Sequence, residues 1–492
     1  MRNARRQNLR RRLLLGSIRF DENNAINLMV EPFIAISRVA GLGFKKSSCT
    51  RKSAYDAVRG GETMISRRRF FQIAGVAASA PIASRLSVAQ DTPGCGTQPP
   101  AIAGLKSMRA QAKPISVAER QDRLERARRL MRENHIDAIM LIGGTSMKYF
   151  ADIDWWLSER TFTLILPAKG EPFFVCPGFE ESRAREQIRR SPFAGNPDMR
   201  IWQENESPYE RVAQGLKDRG IANGKIGIEE TVWFVKSDGV AHAAPGVTFT
   251  SATPVTAGCR MHKTQHEIDL LQLANTVTIK AYEAAWRSMK PGMTQQDFAR
   301  MVEDAHTQLG FKGSAGVQVG PYSALPHGSI EPQKVEEGTI LLIDGGCTVE
   351  GYHSDISRTF VLGKPNDRMK KVFEIVHRAQ AAALKQARPS VEAQSVDAVA
   401  RKLIEDAGYG PGYKYFGHRL GHGIGMDDHE WPYLVGGDTL SLQPRMSFSD
   451  EPGIYIPGEF GVRIEDCMHI TEDGAKLFTG PSASLEQPFE IG

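Results

Sequence analysis

The sequence predicts an α/β domain followed by an α+β domain. Between residues 116 and 255, short apolar runs of strand length alternate with helical segments, as in a sheet covered by helices. After His262 the pattern changes to long amphipathic helices and then to short strands, which indicates a mixed α+β domain. The 492 residues are 41% hydrophobic and 24% charged, a composition that allows two buried cores and excludes disordered, fibrous and polytopic membrane proteins.

The first 89 residues differ from the rest of the chain in charge. They hold 17 Lys and Arg against 5 Asp and Glu, whereas the remaining residues hold 45 against 52. The overall charge of +5 therefore comes from this leader. Because the acidic remainder shows no patch of interleaved basic and aromatic residues, we expect no nucleic-acid partner.

One segment of the leader, residues 1–89, resembles a twin-arginine export signal. Arg67-Arg68-Arg69-Phe70-Phe71 precedes a short, weakly apolar stretch of small residues, too brief to span a hydrocarbon core of about 30 Å. Small residues permit cleavage after Ala80 or, preferably, Ala89, and Met64 is an alternative start of translation. The resemblance implies contact with the twin-arginine translocase, a periplasmic or secreted product, and no stable membrane anchor after cleavage. The alternative is a basic amphipathic helix that contacts a membrane or a partner.

The α/β domain is predicted to span residues 116–255, after a linker over residues 90–115 that begins rich in Pro and Gly. A charged helical stretch over 116–134 leads into an apolar run at 136–142, which has the character of a buried strand. Further strands are predicted at 162–166, 172–176 and 225–229, and helices at 180–190 and 208–219.

The second domain is predicted to span residues 256–486. Its first helix covers 265–289 and stops at Lys290-Pro291-Gly292, and the next begins at Thr294 with Asp297 in its first turn. Later helices are predicted at 367–386 and 391–407, and short strands at 446–449 and 461–470. The six cysteines lack CxxC spacing, which excludes a thiolate zinc cluster and a dense disulfide scaffold.

Four acidic residues and one histidine of the second domain stand in contexts marked by Gly or Pro. Asp344 ends the apolar run 340–343, and Asp355 follows eleven residues later, so a hairpin would bring these two carboxylates together. The others are His422 in the run 418–425, Glu451 before Pro452-Gly453, and Glu465 before Asp466. This donor set favours manganese, cobalt, iron or zinc, and two such ions about 3.5–4 Å apart can hold a bridging hydroxide and polarise a carbonyl.

These segments resemble the pita-bread metallopeptidases, the group that contains aminopeptidase P, prolidase, creatinase and methionine aminopeptidase. The likeness covers about residues 116–480, and the ligand order Asp, Asp, His, Glu, Glu matches with none missing. It implies that Asp344 binds one divalent ion, that His422 and Glu451 bind a second, and that Asp355 and Glu465 bridge the two. Manganese is the expected metal, with zinc or cobalt as alternatives. Glu451 also resembles the general base of the family.

The resemblance implies roles for four further residues. His327 and His429 match two histidines that donate hydrogen bonds to the substrate carbonyl oxygen and to the tetrahedral intermediate. His418 matches a histidine at the mouth of the substrate pocket, and Arg463 matches an arginine that organises the rear of the site. For His418 and Arg463, a purely structural role is equally compatible with the sequence.

The α/β domain favours the Xaa-Pro branch, because minimal methionine aminopeptidases lack such a domain. We therefore expect a dinuclear Xaa-Pro aminopeptidase or dipeptidase whose bridging hydroxide attacks peptides or dipeptides with proline in second position, and which forms a homodimer. One alternative is a small-molecule C–N hydrolase of the creatine or ectoine-derivative type, or a sulfonium lyase, although lyases carry an acid where this chain has Gly346. Another is a catalytically inactive peptide-binding module, whose hallmark is loss of ligands.

Overall fold

The computed structural model of the protein describes residues 98–489. The predicted export signal, its cleavage sites and the first eight residues of the range predicted as a linker lie outside these residues. Within residues 98–489, no helix combines the length and apolar character needed to cross a membrane.

A six-stranded mixed sheet organises the first half of the described chain. Its strands β1–β6 are Ala138–Ile142, Thr163–Pro167, Phe173–Pro177, Asp198–Trp202, Lys225–Ile228 and Thr248–Ser251. They lie in the order β4-β3-β2-β1-β5-β6, with β2 antiparallel to both of its neighbours and the other pairs parallel. Alternate residues of β1 enter two different apolar clusters: Ile139 and Leu141 face one, and Met140 faces the other. The strand is therefore buried on both faces, as its continuous apolar run predicts.

Seven helices accompany this sheet. Helices α1–α7 are Pro100–Ala103, Val117–Glu133, Thr145–Ala151, Glu181–Ile188, Pro208–Asp218, Phe234–Ala243 and Thr253–Arg260. Helix α2 begins at a capping box, in which the Ser116 hydroxyl accepts from the Glu119 N–H and the Glu119 carboxylate accepts from the Ser116 N–H. Helix α1 falls within the range predicted as a linker, where Ile102 is fully buried in the core.

Four helices and eleven strands form the second half. Helices α8–α11 are Gln265–Arg287, Gln295–Leu309, Asp367–Gln386 and Ala393–Asp406. Strands β7–β17 are Lys312–Val319, Ile340–Val349, Tyr352–His353, Ile356–Val361, Gly421–Gly423, Glu430–Leu434, Ser447–Asp450, Gly453–Ile456, Phe460–Arg463, Asp466–Ile470 and Ala475–Leu477.

The strands of the second half form two larger sheets and a hairpin. One sheet has the order β10-β8-β7, with β9 paired to the end of β8, and the other has the order β12-β11-β13-β16-β17. Strands β14 and β15 form the hairpin. The two sheets meet where the Glu465 N–H donates to the Ser357 carbonyl at 3.1 Å. The acidic residues of both sheets converge at this junction.

Candidate active site

All nine residues that the sequence singled out line one cavity of about 330 Å³. Pro326 and Arg419 complete its wall, and the predicted residues are Asp344, Asp355, His422, Glu451, Glu465, His327, His418, His429 and Arg463. The structure thus brings together side chains that are separated by up to 138 positions, between His327 and Glu465. Their individual roles in binding and catalysis stay predictions.

Strand register places the four carboxylates. Asp344 lies in β8 opposite Ser357 of β10, and Asp355 precedes β10 directly. Glu451 follows β13, while Glu465 lies between β15 and β16. Because all four positions lie in or beside paired strands, hydrogen-bonded backbone fixes the directions of their side chains.

The carboxylate and imidazole atoms form overlapping groups that fit two cations. Potential ligand atoms lie within 4.8 Å of one another in the group Asp344, Asp355 and Glu465, and again in the group His422, Glu451 and Glu465. Glu465 belongs to both groups, and its bridging role stays a prediction. A third group joins Asp355 and His422 to His429, a residue that the sequence had placed outside the ligand set.

The electrostatics of this cluster also fit bound cations. Burial raises the pKa of Asp355, Glu451 and Glu465 well above the ordinary range, and neighbouring carboxylates raise each of them further. Glu465 Oε1 is buried and has no hydrogen-bond partner within the described chain. Divalent ions would neutralise this dehydrated negative charge and satisfy that oxygen, so the residues present fit the metals that the sequence predicts.

His422 has the protonation state that a metal ligand needs. Burial is the main cause that lowers the pKa of His422 to about 3, and the neighbouring His429 lowers it further, so the ring is neutral. Its Nδ1 lies 3.1 Å from the Gly423 carbonyl oxygen and must donate to it. Nε2 therefore keeps a free lone pair, which points towards Glu451 Oε1 at 3.4 Å and Asp355 Oδ2 at 3.6 Å.

Arg463 and Ser357 hold the rear of the carboxylate cluster. Arg463 Nη2 lies 2.6 Å from Asp344 Oδ2, and its Nε donates to the Ser357 hydroxyl at 2.8 Å. The Ser357 oxygen in turn lies 2.7 Å from Asp344 Oδ1 and 2.6 Å from Glu465 Oε2. Burial would raise the pKa of Asp344, but Arg463 and these hydrogen bonds hold it below its usual value. Sequence reasoning missed Ser357, although its spacing of two from Asp355 places both on one face of a strand.

Tyr455, also missed from the sequence, connects Arg463 to His418. Arg463 Nη1 donates to the Tyr455 hydroxyl at 2.9 Å, and that hydroxyl lies 2.8 Å from His418 Nε2. Because His418 Nδ1 faces the Arg419 carbonyl at 2.8 Å and donates to it, Nε2 is an acceptor and Tyr455 is its donor. Burial and Arg463 lower the pKa of His418 to about 4. Protein groups thus occupy both nitrogens of a neutral His418.

His327 and His429 differ from His418, because no hydrogen bond within residues 98–489 engages their rings. The His429 ring stacks on that of His422, with centroids 3.6 Å apart and planes 17° apart. His327 follows Pro326 in the loop that precedes β8. Both imidazoles face the cavity and can therefore donate to a bound carbonyl oxygen.

Comparisons with known proteins agree with the fold. Residues 123–262 match the model of the creatinase/prolidase N-terminal domain, and residues 269–472 match that of metallopeptidase family M24. A relative from Lactobacillus delbrueckii subsp. lactis named Xaa-Pro dipeptidase is 34% identical over 371 residues, which cover 74% of this chain and 98% of the relative.

Two solved structures show the same architecture. A dipeptidase PepE from Mycobacterium ulcerans has a TM-score of 0.71 at 32% identity, covering 76% of this chain and 99% of that one. A prolidase from Pyrococcus furiosus has a TM-score of 0.60 at 31% identity, covering 71% and 98%. The predicted fold class, a creatinase/prolidase-type α/β domain followed by a pita-bread α+β domain, is confirmed. The chain is a peptidase and belongs to metallopeptidase family M24.

Proposed function

We propose that this enzyme is an Xaa-Pro dipeptidase that uses two divalent metal ions. The observation that carries the proposal is the cavity itself, which is lined by four carboxylates, a neutral imidazole and an exposed arginine, Arg419. Relatives named Xaa-Pro dipeptidase and prolidase support the same activity. Of the two predicted activities, aminopeptidase and dipeptidase, the position of Arg419 favours the second.

The metal-binding roles follow the predicted assignment. Asp344 would bind one ion, His422 and Glu451 the other, and Asp355 and Glu465 both, with manganese as the expected metal and zinc or cobalt as alternatives. When bound, two such ions supply Lewis acidity and a water of lowered pKa as the nucleophile.

The other side chains handle protons and the carbonyl oxygen. Glu451 lies at the cavity wall beside His422, where it can accept a proton from the attacking water and return it to the departing proline nitrogen. His327 and His429 can donate to the carbonyl oxygen as negative charge develops on it. Arg463 and Ser357 hold Asp344 and Glu465 in place and need not contact the substrate.

Arg419 can recognise the free carboxylate of a dipeptide. Its guanidinium lies 4.3 Å above the Tyr433 ring, and within the described residues no carboxylate forms an ion pair with it. An exposed cation at the wall of a small cavity would bind the C-terminal carboxylate of Xaa-Pro. A longer peptide would place a neutral amide at this point.

The structure weakens the lyase alternative at Gly346. A Cβ atom built at this position would collide with the carbonyl oxygen of Ser354, so an acidic side chain cannot occupy it without a shift of the backbone. A small-molecule C–N hydrolase and an inactive binding module remain distinguishable by experiment. We also propose export by the twin-arginine route, a periplasmic or secreted location and a homodimeric state.

A substrate panel tests the proposal. We expect metal-dependent hydrolysis of Ala-Pro to be faster than hydrolysis of Ala-Pro-Ala, Ala-Ala-Ala and creatine. The Glu451→Gln substitution should abolish the hydrolysis of Ala-Pro. Arg419→Gln should raise KM for Ala-Pro about tenfold or more while leaving KM for Ala-Pro amide nearly unchanged, because only the acid offers a carboxylate. Turnover of creatine alone, or of no peptide by metal-loaded enzyme, would contradict the proposed function.

A further inference from the structure

An ionic cluster around the buried Glu430 carboxylate flanks His429 in the sequence. It consists of Arg260, Lys263, Asp427 and Glu430, which we call the Glu430 cluster. Lys263 Nζ lies 2.7 Å from Glu430 Oε1, and Arg260 Nε lies 3.1 Å from Glu430 Oε2. The side chains of Lys263 and Glu430 are only 1% and 6% exposed. Burial would raise the pKa of Glu430, but the two cations hold it below its usual range.

The Glu430 cluster fixes the backbone on both sides of His429. Arg260 contacts Asp427, two residues before His429, as well as Glu430, the residue after it. The Thr145 hydroxyl also donates to Asp427. In the sheet, Glu430 of β12 pairs with Gly423 of β11, the residue that follows His422. His429 is thus an exposed residue of a segment in which the side chains of Asp427 and Glu430 are held in place.

Packing around the Glu430 carboxylate leaves little room for this side chain to move. A Cβ atom built on Gly425 would collide with this carboxylate, so the turn between β11 and β12 closes tightly around it. The His429 ring itself has no hydrogen bond within the described chain, and its observed contact is the stack on His422. Its orientation therefore depends on this stack and on the backbone that carries the ring.

We propose that Glu430, held by Arg260 and Lys263, is a positioning residue that sets the His429 imidazole against His422 and the reacting carbonyl. The inference rests on the proposed function for the role of His429. Arg260 ends α7 and lies within the part of the chain that matches the N-terminal family model, whereas Glu430 lies within the peptidase model. The α/β domain would thereby help to set the catalytic geometry.

Glu430→Gln tests this role with little change in shape. We expect kcat for Ala-Pro to fall by about 10–100-fold, the usual cost of losing such support, with a much smaller change in KM. The matched control is Glu267→Gln, which removes the charge from an equally buried acid that lies 3.0 Å from Arg123 and outside the cavity. That control should lose thermal stability, yet its folded fraction should keep the kcat of the wild type.

A double-mutant cycle separates positioning from general destabilisation. If Glu430 acts through His429, adding Glu430→Gln to His429→Ala should lower kcat by less than twofold. Additive losses, or equal kcat in Glu430→Gln and Glu267→Gln, would overturn the proposal while leaving the peptidase activity intact. If Glu430→Gln does not fold, Arg260→Lys replaces it, because lysine keeps the charge but cannot contact Asp427 and Glu430 in the same way.

Crystal structures give a readout that needs no substrate. In Glu430→Gln the His429 ring should move from its stack on His422 or lose defined density, whereas in Glu267→Gln it should stay. An unmoved ring in Glu430→Gln would overturn the inference even if the enzyme cleaved no Xaa-Pro dipeptide. Failure of the wild type to cleave Ala-Pro would instead contradict the proposed function alone.

Discussion

At the scale of single residues, the Tyr455 hydroxyl has the most distinctive position, because it joins Arg463 to His418. Tyr455→Phe would remove the donor to His418 Nε2 and one of the two acceptors of Arg463 Nη1, and loss of such partners typically costs about 1–3 kcal/mol. We expect a lower melting temperature and a roughly tenfold or greater loss of kcat, measured by thermal unfolding and steady-state kinetics.

Tyr282→Phe is the matched control for that experiment. The Tyr282 side chain is fully buried, and its hydroxyl has no hydrogen-bond partner within residues 98–489. Its removal should therefore leave stability unchanged or slightly raised. Equal losses in the two variants would show that the link from Arg463 to His418 contributes nothing specific.

Sequence reasoning located five of the eleven cavity residues by type, order and neighbours and four more by family resemblance, but it missed Arg419, Ser357 and Tyr455. Tyr455 reaches Arg463 because β14 and β15 pair with Tyr455 opposite Gly461. This register is a tertiary property that Glu451-Pro452-Gly453 alone does not reveal. Ser357 carried a period-two signal with Asp355, yet a serine in a strand has no charge that would mark it as part of a site.

At the scale of elements, local signals predicted the helices best. Helices α2, α8 and α9 each begin at a capping box, and α10 has its predicted bounds. Several strands were not predicted, among them β4, β6 and β7. Strand β7 is rich in Gly, Ser and Ala, which have little intrinsic preference for strands, and all eight of its residues pair with β8. Its conformation therefore comes from its partner.

The capping box of α2 makes a pH-dependent contribution to stability. Burial would raise the pKa of Glu119, but hydrogen bonds from Ser116 and His266 lower it from 4.5 to about 2. The folded state thus favours the charged carboxylate, and the gain is present above pH 4.5 and lost as the pH falls towards 2.

Glu119→Gln should therefore destabilise the protein at pH 7 by about 1 kcal/mol, with a difference from the wild type that shrinks below pH 4.5. Thermal unfolding across this pH range measures the effect. Glu125→Gln on the same helix is the control, since its side chain is 66% exposed and its ion pair with Arg128 should contribute little. A constant difference at every pH would contradict the assignment to the Glu119 charge.

At the scale of the whole molecule, metal binding should stabilise the fold. Asp355, Glu451 and Glu465 repel one another in a dehydrated cluster, and cations remove that cost. We expect a chelator to lower the melting temperature and excess manganese to restore it. Manganese at a hundredfold excess over Kd should raise the free energy of unfolding by about 2.7 kcal/mol. Calorimetry of both forms is the measurement.

Asp355→Asn should change how the stability of the protein depends on metal. The variant relieves repulsion from Asp344, so the metal-free form should be more stable than the metal-free wild type. It should also gain less stability from manganese, since it lacks a carboxylate that we propose to bind both ions. If neither chelator nor metal changes the melting temperature of the wild type, the proposed metal centre is contradicted.

The sequence predicted an α/β half followed by an α+β half, but it could not predict how these halves hold each other. The buried pair of Arg123 and Glu267 joins residues 144 positions apart, and Arg260 and Glu430 are 170 apart. In a sequence, each residue of such a pair looks like an ordinary surface charge. Only the fold shows that they are buried and opposed.

The cavity wall has two kinds of support, and this difference bears on how the enzyme can evolve. The carboxylates lie in or beside hydrogen-bonded strands, where a change of residue disturbs several neighbours at once. Arg419, by contrast, is exposed, and its guanidinium lies over the ring of Tyr433. Mutation can thus diversify the range of accepted peptides while purifying selection preserves the hydrolytic chemistry, so new specificities can arise on an unchanged reaction.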